Sequence, residues 1–234
     1  MPETVVATRS LTEKLDAARV ASLLLATANA ALKNRGLHAI AVAIVAHAHR
    51  IIAGNDLDLA NGRDNGLSAG MQDRLRLDET RLGELAEAVR LVAALVDPVG
   101  ENVRGQTLPN GLRLSEVRVP FGVVGVIYEA RPNVTVDIAS LALKSGNSVV
   151  LRGGSAAENT NRALVAVIRD ALASVGLPAD AVQTIDEFGR DGARQLMQAR
   201  GHVDVLIPRG SADLINTVVA ESTVPVIEIG RAHV

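Results

Sequence analysis

Residues that could do chemistry follow four short apolar runs of this 234-residue sequence. Each run has the length of a strand, and each is followed by charged, amide or glycine residues. In a parallel sheet wrapped by helices, ligands bind in the crevice outside the carboxyl ends of the strands. We therefore expect the four segments to meet in one ligand site. The segments are residues 128–134, 144–155, 207–211 and 226–230.

The first segment, residues 128–134, ends a predicted strand and opens a predicted helix. Pro132 suits the first helical turn, and Asn133 places an amide at the helix start. The helix N-terminus, the Asn133 amide and the Arg131 guanidinium together could stabilise an oxyanion or hold a phosphate. A capped helix with a surface arginine explains the same residues without a ligand, and the sequence leaves both interpretations open.

The second segment places Lys144 before a turn and Arg152-Gly153-Gly154 after the next predicted strand. Gly153 and Gly154 would allow the backbone to approach a ligand closely, and the charge of Arg152 suits a phosphate. These four residues are predicted to hold the adenosine ribose and 2′-phosphate of NADP, although a flexible turn is an equal alternative. No GxGxxG fingerprint follows any predicted strand, so ordinary dinucleotide binding of that type is not supported.

The third segment runs through Pro208, Arg209, Gly210 and Ser211 into a helix. Backbone N–H groups of Gly210 and Ser211 could cradle a pyrophosphate, or Ser211 could simply cap the helix. The fourth segment places Glu228 at the end of an apolar strand, where a carboxylate is costly unless it is solvated or partnered. That residue lies in a cleft or marks an exposed strand end.

Other chemistry is poorly supported. The sequence contains no cysteine, so it offers no thiolate nucleophile and no disulfide. His47 and His49 are two apart on a predicted helix and should face different directions, so we predict surface positions and no metal site. Net charge is −2 and aromatic residues are 1%, which argues against nucleic-acid binding. No membrane helix or signal peptide is predicted, and a cytoplasmic protein is expected.

The elements that must position these segments begin with a helical region over residues 1–100. Ser10 and Asp78 are predicted N-caps, the latter for a helix over 79–96. A long helix is predicted from residue 31 to 53, ended by Gly54. The Asn-, Asp- and Gly-rich stretch 55–70 is predicted to hold short helical pieces and turns.

A β-hairpin is predicted over residues 101–119, because Asn110-Gly111 separates two alternating runs. Charges alternate along both arms, so the hairpin should be partly exposed and could pair with another subunit.

From residue 120 to 234, short apolar runs alternate with helical patterns. This alternation predicts an α/β fold with a doubly wound, mostly parallel sheet covered on both faces. Strands are predicted over 123–128, 148–151, 182–185, 203–207 and 226–229, and helices over 133–144, 156–175, 191–200 and 212–221.

Several stretches together resemble the γ-glutamyl phosphate reductase (glutamate-5-semialdehyde dehydrogenase) family of the aldehyde dehydrogenase superfamily. The most specific is the run Tyr-Glu-Ala-Arg-Pro-Asn-Val at residues 128–134. The resemblance covers nearly the whole chain, and its other parts are residues 73–75, 97–100, 119–127, 135–137, 143–147, 151–153, 176–178 and 205–210. It implies an aldehyde-dehydrogenase-like fold with N-terminal helices, a hairpin that joins subunits of a homo-oligomer, and a Rossmann-like NADP-binding domain.

The resemblance also implies a reaction, the NADPH-dependent reduction of γ-glutamyl phosphate to glutamate-5-semialdehyde in proline biosynthesis, through a cysteine thioester. By position, Asn133 matches the oxyanion-stabilising asparagine and Arg152 the basic residue near the adenosine ribose. Gly210 and Ser211 match the pair that approaches the pyrophosphate, and Glu228 matches the glutamate before the nucleophile loop. Arg131 is the residue assigned to the substrate phosphate.

One departure from the family pattern concerns the nucleophile. Family members continue after Ile-Glu-Thr-Gly into a loop containing Cys-His-Val, whereas residues 227–230 are followed here by Arg-Ala-His-Val. The NADP-binding domain is therefore expected to be incomplete at its C-terminus. Two rivals stay open: a non-catalytic NADPH-binding module, and an aldehyde dehydrogenase for a different acyl group, against which residues 128–134 argue.

Overall fold

The computed structural model describes residues 9–129 and 131–228. Its helices alternate with strands only after residue 120, as predicted. The α-helices are α1 (Leu11–Ala26), α2 (Ala30–Ala46), α3 (Ala48–Asp64), α4 (Ala69–Leu75), α5 (Glu79–Ala94), α6 (Pro132–Lys144), α7 (Glu158–Ser174), α8 (Gly189–Met197) and α9 (Ala212–Glu221). The strands are β1 (Asn102–Thr107), β2 (Arg113–Val117), β3 (Val123–Tyr128), β4 (Ser148–Arg152), β5 (Val182–Thr184) and β6 (Val205–Arg209).

Helix starts follow the capping residues. The Glu13 N–H donates to Ser10 Oγ while the Ser10 N–H donates to Glu13 Oε2, which closes a capping box at α1. The Asp78 carboxylate accepts from the Arg81 N–H at 2.9 Å and starts α5. Both predicted caps are confirmed.

The predicted helix over residues 31–53 is wrong, because the chain breaks at His47 into α2 and α3, which meet at 67°. The bend lets both helices bury apolar residues, among them Ile44 and Ile51. Gly54 does not end a helix but lies within α3, where a Cβ atom would come 2.9 Å from the Asn159 carbonyl oxygen. Close packing against α7 therefore explains this glycine, and α3 continues through half of the predicted turn region.

The four-stranded sheet is parallel, with the order β5-β4-β3-β6. Val124 of β3 pairs with Val149 of β4 on one side and with Val205 of β6 on the other. The strand predicted over residues 226–229 is reduced to a single bridge between Leu206 and Val226 within the described residues. Ile229 lies outside them.

Helices cover both faces of this sheet. Val124 and Val126 face a large core shared with α2, α5, α6 and α7, while Val123 and Ile127 face a second core with α1, α8 and α9. The period of two along β3 is that of a strand buried on both faces. The doubly wound α/β prediction is confirmed, and the first core is continuous between the helical region and the sheet.

The hairpin β1–β2 forms where Asn110-Gly111 predicted it. Gly111 has a φ of +85°, a backbone conformation that glycine adopts without strain. Arg104 pairs with Glu116 across the strands, and every residue of both strands is exposed. Both edges of the two-stranded sheet thus lack a neighbouring strand within the described residues.

Across those residues, no single helix is long and apolar enough to span a bilayer. The bent pair α2 and α3 meets the criterion of length and composition when its two helices are taken together.

Candidate functional site

The carboxyl ends of β3, β4 and β6 lie side by side. Ile127 pairs with Arg152, and Tyr128 pairs with Arg209, so the residues that follow these strands emerge at the same edge of the sheet. Three of the four predicted segments are thereby brought together, as the parallel topology requires.

A polar cavity of about 310 Å³ opens at this edge. Three arginines, Arg74, Arg131 and Arg209, and one carboxylate, that of Glu129, line it together with Gly210-Ser211. None of the three guanidinium groups forms a hydrogen bond or ion pair to residues 9–129 or 131–228. The N-termini of α6 and α9 begin beside the same cavity, so the partial charges of two helix ends add to its positive potential. An anion is the ligand that this lining favours.

Ser211 and Glu129 share the rim of this cavity. The Ser211 N–H donates to Glu129 Oε1 at 2.9 Å, and Ser211 Oγ accepts from the Leu214 N–H at the start of α9. The helix-cap interpretation of Ser211 is therefore confirmed. Gly210 lies so close that a Cβ atom would come 2.7 Å from the Glu129 carboxyl carbon. A carboxylate already occupies the anion position at the α9 N-terminus.

At the start of α6, Pro132 is the first helical residue, as predicted. Arg131 is the N-cap, and its side chain forms no capping hydrogen bond. Asn133 is exposed and lines a second cavity, of about 490 Å³, which Arg131 also borders. The Asn133 amide and the Arg131 guanidinium therefore border adjoining cavities, and neither side chain caps α6.

A buried chain of hydrogen bonds fixes the ends of β3 and β4, and sequence reasoning missed it. The Tyr128 hydroxyl lies 2.6 Å from Thr135 Oγ1, which donates to Asn161 Oδ1 at 2.8 Å. Asn161 Nδ2 and the Gly153 N–H both donate to the Asp186 carboxylate, at 2.9 and 2.6 Å. The sequence signal that could have revealed it is the pair of polar residues within two buried helices, Thr135 in α6 and Asn161 in α7. These hydrogen bonds link β3, α6 and α7 with the segments that follow β4 and β5.

Burial controls the charges of this network. Burial raises the pKa of Asp186 above its ordinary value, although the hydrogen bonds from Asn161 and Gly153 oppose the shift. Burial also raises the pKa of the Tyr128 phenol far above its usual range, and the negative charge of Asp186 adds to that effect. The tyrosine is therefore a neutral donor.

Gly153 faces this network and not the crevice. A Cβ atom there would collide with Asn161 Nδ2, so the close approach that requires glycine is internal. The Arg152 guanidinium donates to the carbonyl oxygens of Gly153, at 2.6 Å, and Gly189, at 3.4 Å. Gly154, by contrast, lines a third cavity of about 390 Å³ that Arg74 and Arg131 also border.

Lys144 does not lie with the predicted site residues at the carboxyl edge of the sheet. It is the last residue of α6, 4% exposed, and its ammonium donates to Asn34 Oδ1 at 2.7 Å and to the Ala93 carbonyl at 2.8 Å. Helices that follow a parallel strand run back across the sheet, so the end of α6 lies at the opposite edge from the crevice. Burial lowers the pKa of this lysine, and its partners belong to the helical region. Its placement corrects the sequence expectation of a cofactor contact.

Two further predicted residues lie near the cavity without lining it. Pro208 is buried within β6, where it pairs with Ile127. Glu228 is exposed. Val226 pairs in parallel with Leu206, so Glu228 and Pro208, each two residues further along, lie at the same level of the sheet. Glu228 therefore follows the same edge of the sheet. Its exposure favours the solvated strand end over a buried carboxylate.

Arg74 is the functional candidate to which sequence reasoning gave no role. It belongs to α4 in the helical region and borders all three of these cavities. Asn55 holds this region in place, since its side chain donates to the Leu75 carbonyl and accepts from the Leu77 N–H, both at 2.8 Å. The resemblance of residues 73–75 to the family was the signal that could have pointed to it.

Comparison with known proteins identifies the family of this chain. The model of the aldehyde dehydrogenase family matches residues 15–229. The chain belongs to the aldehyde dehydrogenase family.

Relatives within this aldehyde dehydrogenase family are named γ-glutamyl phosphate reductase. The Leifsonia xyli protein is 63% identical over 225 residues, covering 96% of this chain and 53% of that protein. The Clavibacter michiganensis protein is 65% identical over 220 residues, covering 94% of this chain and 51% of that protein. The chain thus spans about half the length of the relatives it matches.

Solved structures share the fold of this chain. The crystal structure of γ-glutamyl phosphate reductase from Thermotoga maritima matches with a TM-score of 0.92 and 39% identity, over 95% of this chain and 54% of that one. A probable aldehyde dehydrogenase from Listeria monocytogenes matches with a TM-score of 0.70 at 19% identity, covering 94% of this chain and 45% of that chain. The second match shows the aldehyde-dehydrogenase-like fold alone.

Proposed function

We propose that this chain supplies the cofactor- and phosphate-binding part of a cytoplasmic reductase of proline biosynthesis. The reaction converts γ-glutamyl phosphate and NADPH into glutamate-5-semialdehyde, phosphate and NADP. The observation that carries the proposal is the arginine-lined cavity at the carboxyl edge of the sheet, in a chain 63% identical to a protein named γ-glutamyl phosphate reductase.

The crevice suits a dinucleotide phosphate. Gly154 borders one cavity and Gly210-Ser211 another, and the exposed guanidiniums of Arg131 and Arg74 border both. A doubly negative pyrophosphate would meet the guanidiniums of Arg131 and Arg74 and the N-terminus of α6 along this path, and it would take the place of the Glu129 carboxylate at the N-terminus of α9. Arg152, partly exposed at the end of β4, is the proposed contact of the 2′-phosphate and thus the reason for NADPH over NADH. When bound, the cofactor supplies the hydride.

The side chains of this chain act on the acyl phosphate. Arg131 and Arg74 also border the cavity of about 490 Å³ that Asn133 lines, and there they would neutralise the phosphoryl dianion and stabilise it as it leaves, while Arg209 serves the cofactor. The Asn133 amide would donate to the carbonyl oxygen as negative charge develops there. Glu228 is proposed to act near the reacting carbon. The 234 residues contain no cysteine, so they do not contribute a thiolate.

A second candidate function follows from that composition: a module that binds NADPH without turnover. The exposed hairpin is proposed to pair with a second copy of the chain in either case. Its apolar residues Leu114 and Val117 are exposed, and the outer edges of the two-stranded sheet have no neighbouring strand within the described residues.

A turnover assay tests the proposal and separates the two candidates. With NADP, glutamate-5-semialdehyde and phosphate, the 234-residue chain should form no NADPH, because it holds no thiolate. Joined to the remaining half of the Leifsonia xyli relative, it should form NADPH. In the joined protein, Arg131→Ala should lower kcat/KM roughly 100-fold.

The matched control is Arg35→Ala, since Arg35 is an exposed arginine of α2 outside the cavities. Turnover by the 234 residues alone would contradict the requirement for a thiolate. A folded joined protein that binds NADPH without turnover would favour the binding module.

A further inference from the structure

The turn that leads from β5 into α8 holds the end of β4 in place. The Gly153 N–H donates to Asp186 Oδ1 at 2.6 Å, and Arg152 Nε donates to the Gly189 carbonyl oxygen at 3.4 Å. Asp186 begins this turn and Gly189 ends it. A single turn therefore contacts both Arg152 and Gly153, the residues that lead from β4 toward the cavity bordered by Gly154.

This turn has a fixed backbone of its own. The Gly189 N–H donates to the Asp186 carbonyl oxygen and closes the turn. Lys14 of α1 donates to the Thr184 carbonyl oxygen at 2.7 Å and also pairs with Glu187. The carboxylate of Asp186 is therefore presented to Gly153 from a support that α1 braces.

Both oxygens of the Asp186 carboxylate are used inside the protein. Oδ1 accepts from the Gly153 N–H, and Oδ2 accepts from Asn161 Nδ2 at 2.9 Å. Asp186 is 7% exposed and Gly153 is buried, so without this carboxylate the Gly153 N–H would lose its acceptor away from water. A hydrogen bond to a charged acceptor is about twice as strong as a neutral one, so it fixes the peptide at residue 153.

The position of the Arg152 guanidinium depends on that peptide. Its Nη1 donates to the Gly153 carbonyl oxygen at 2.6 Å, while its Nε uses the carbonyl of Gly189. Nη2 forms no hydrogen bond with the described parts of the chain, and the side chain is partly exposed. The guanidinium is thus held on one side by two carbonyls of the β4 end and the turn, with N–H groups left for an anion.

We infer that Asp186 is a positioning residue for the cofactor, which acts through Gly153 to place the Arg152 guanidinium for a 2′-phosphate. Asp186 itself touches no part of the cofactor. Loss of its carboxylate frees the peptide at residue 153, so Arg152 loses its fixed direction. A cofactor without a 2′-phosphate depends on this peptide only through the neighbouring Gly154. The inference rests on the proposed function and assigns cofactor selectivity to a buried residue behind the crevice.

Calorimetric titration of the 234-residue chain with NADPH and NADH tests the assignment. Asp186→Ala should weaken NADPH roughly tenfold and NADH less than about threefold. Asp186→Asn keeps an acceptor for the Gly153 N–H and should hold the NADPH affinity within about threefold of the natural value. In a chain that already carries Arg152→Gln, adding Asp186→Ala should not lower the preference for NADPH further, because Asp186 acts through Arg152.

Thr135→Val is the matched control. Thr135 is fully buried and donates to Asn161 Oδ1 at 2.8 Å, so it belongs to the same hydrogen-bonded chain without contacting Gly153. Its replacement should lower the free energy of unfolding and leave both cofactor affinities of the folded chain unchanged, as a merely structural role of Asp186 would. If Asp186→Ala does not fold, Gly153→Ala takes its place, because a Cβ atom there would collide with Asn161 and displace the peptide.

The outcomes separate this inference from the proposed function. A folded Asp186→Ala or Gly153→Ala chain with the natural preference for NADPH would overturn the inference while the cofactor site stands. Equal losses in Asp186→Ala and Asp186→Asn would also overturn it, since the second variant keeps the acceptor. A natural chain that binds neither cofactor, or whose preference for NADPH survives Arg152→Gln, would contradict the proposed cofactor site and the inference together.

Discussion

Replacing Asp58 by alanine is expected to lower the free energy of unfolding by about 3–5 kcal/mol. Asp58 is 2% exposed, and its carboxylate accepts four hydrogen bonds from the start of α7. Two come from the backbone and side chain of Asn159, and two from those of Thr160, at 2.6–3.2 Å. Removal would leave buried donors without an acceptor and the helix N-terminus without its negative charge.

Urea unfolding followed by circular dichroism measures this loss. Asp56→Ala is the matched control, because Asp56 is exposed on the same helix two residues earlier, and its replacement should change stability by less than about 0.5 kcal/mol. Equal effects of the two substitutions would show that Asp58 does not anchor α7.

Replacing Asp97 by asparagine is expected to cost about 3–5 kcal/mol, because it leaves a buried ammonium without its counter-ion. The Lys33 side chain is 1% exposed, and its Nζ lies 2.7 Å from Asp97 Oδ2. The buried Lys144 ammonium adds a second positive charge nearby and increases the penalty. The same unfolding assay gives the value.

A second substitution tests the cause. Adding Lys33→Met to Asp97→Asn should restore at least half of the lost stability, since the unpaired charge is then gone. Additive losses in the double variant would contradict an ion-pair origin.

The ion pair between Lys33 and Asp97 should also make stability depend on pH. Burial alone would raise the pKa of Asp97, but hydrogen bonds from Lys33 and the Val99 N–H, with the charges of Lys33 and Lys144, hold it below its ordinary value. A folded pKa below the unfolded one, about 3.9, means that the pair stabilises the fold above that pH. This contribution is lost as pH falls through the folded pKa, so acid should destabilise Asp97→Asn less steeply than the natural chain.

Much of the fold could be predicted because its signals are local. Ser10 and Asp78 fix helix starts by capping, and Asn110-Gly111 fixes the hairpin turn. Apolar runs between helices indicate a parallel sheet, and parallel topology alone brings the segments after β3, β4 and β6 to one edge. Arg131 and Arg209 at that edge were therefore predictable together, whereas Arg74 comes from the helical region and was not predicted.

The errors depended on long-range packing. No local signal at His47 shows that α2 and α3 must bend to share one core, or that Gly54 meets the carbonyl of Asn159. Gly153 resembles a ligand-approach glycine in the sequence, because its contact with Asn161 of α7 exists only in the folded chain. Lys144 resembles a cofactor contact because its partners, Asn34 and Ala93, come from another part of the chain.

The two polar cavities together explain how one edge of the sheet could serve a small charged substrate and a large cofactor. Arg74 and Arg131 border each of these cavities and the third one beside Gly154, so both guanidiniums are placed to contact a phosphate group from more than one side. The helical region is thus part of the site and not only a support for the sheet.

Calorimetric titration of the 234-residue chain with NADPH and NADH tests the central claim most directly, that the carboxyl edge of the sheet is the cofactor site. Arg209→Gln should weaken both cofactors, because Arg209 lines the cavity beside Gly210-Ser211. Arg152→Gln should weaken NADPH roughly tenfold and NADH less than about twofold, because a single phosphate contact is lost. If folded variants bind NADPH as tightly as the natural chain does, the cofactor lies elsewhere and the account is contradicted.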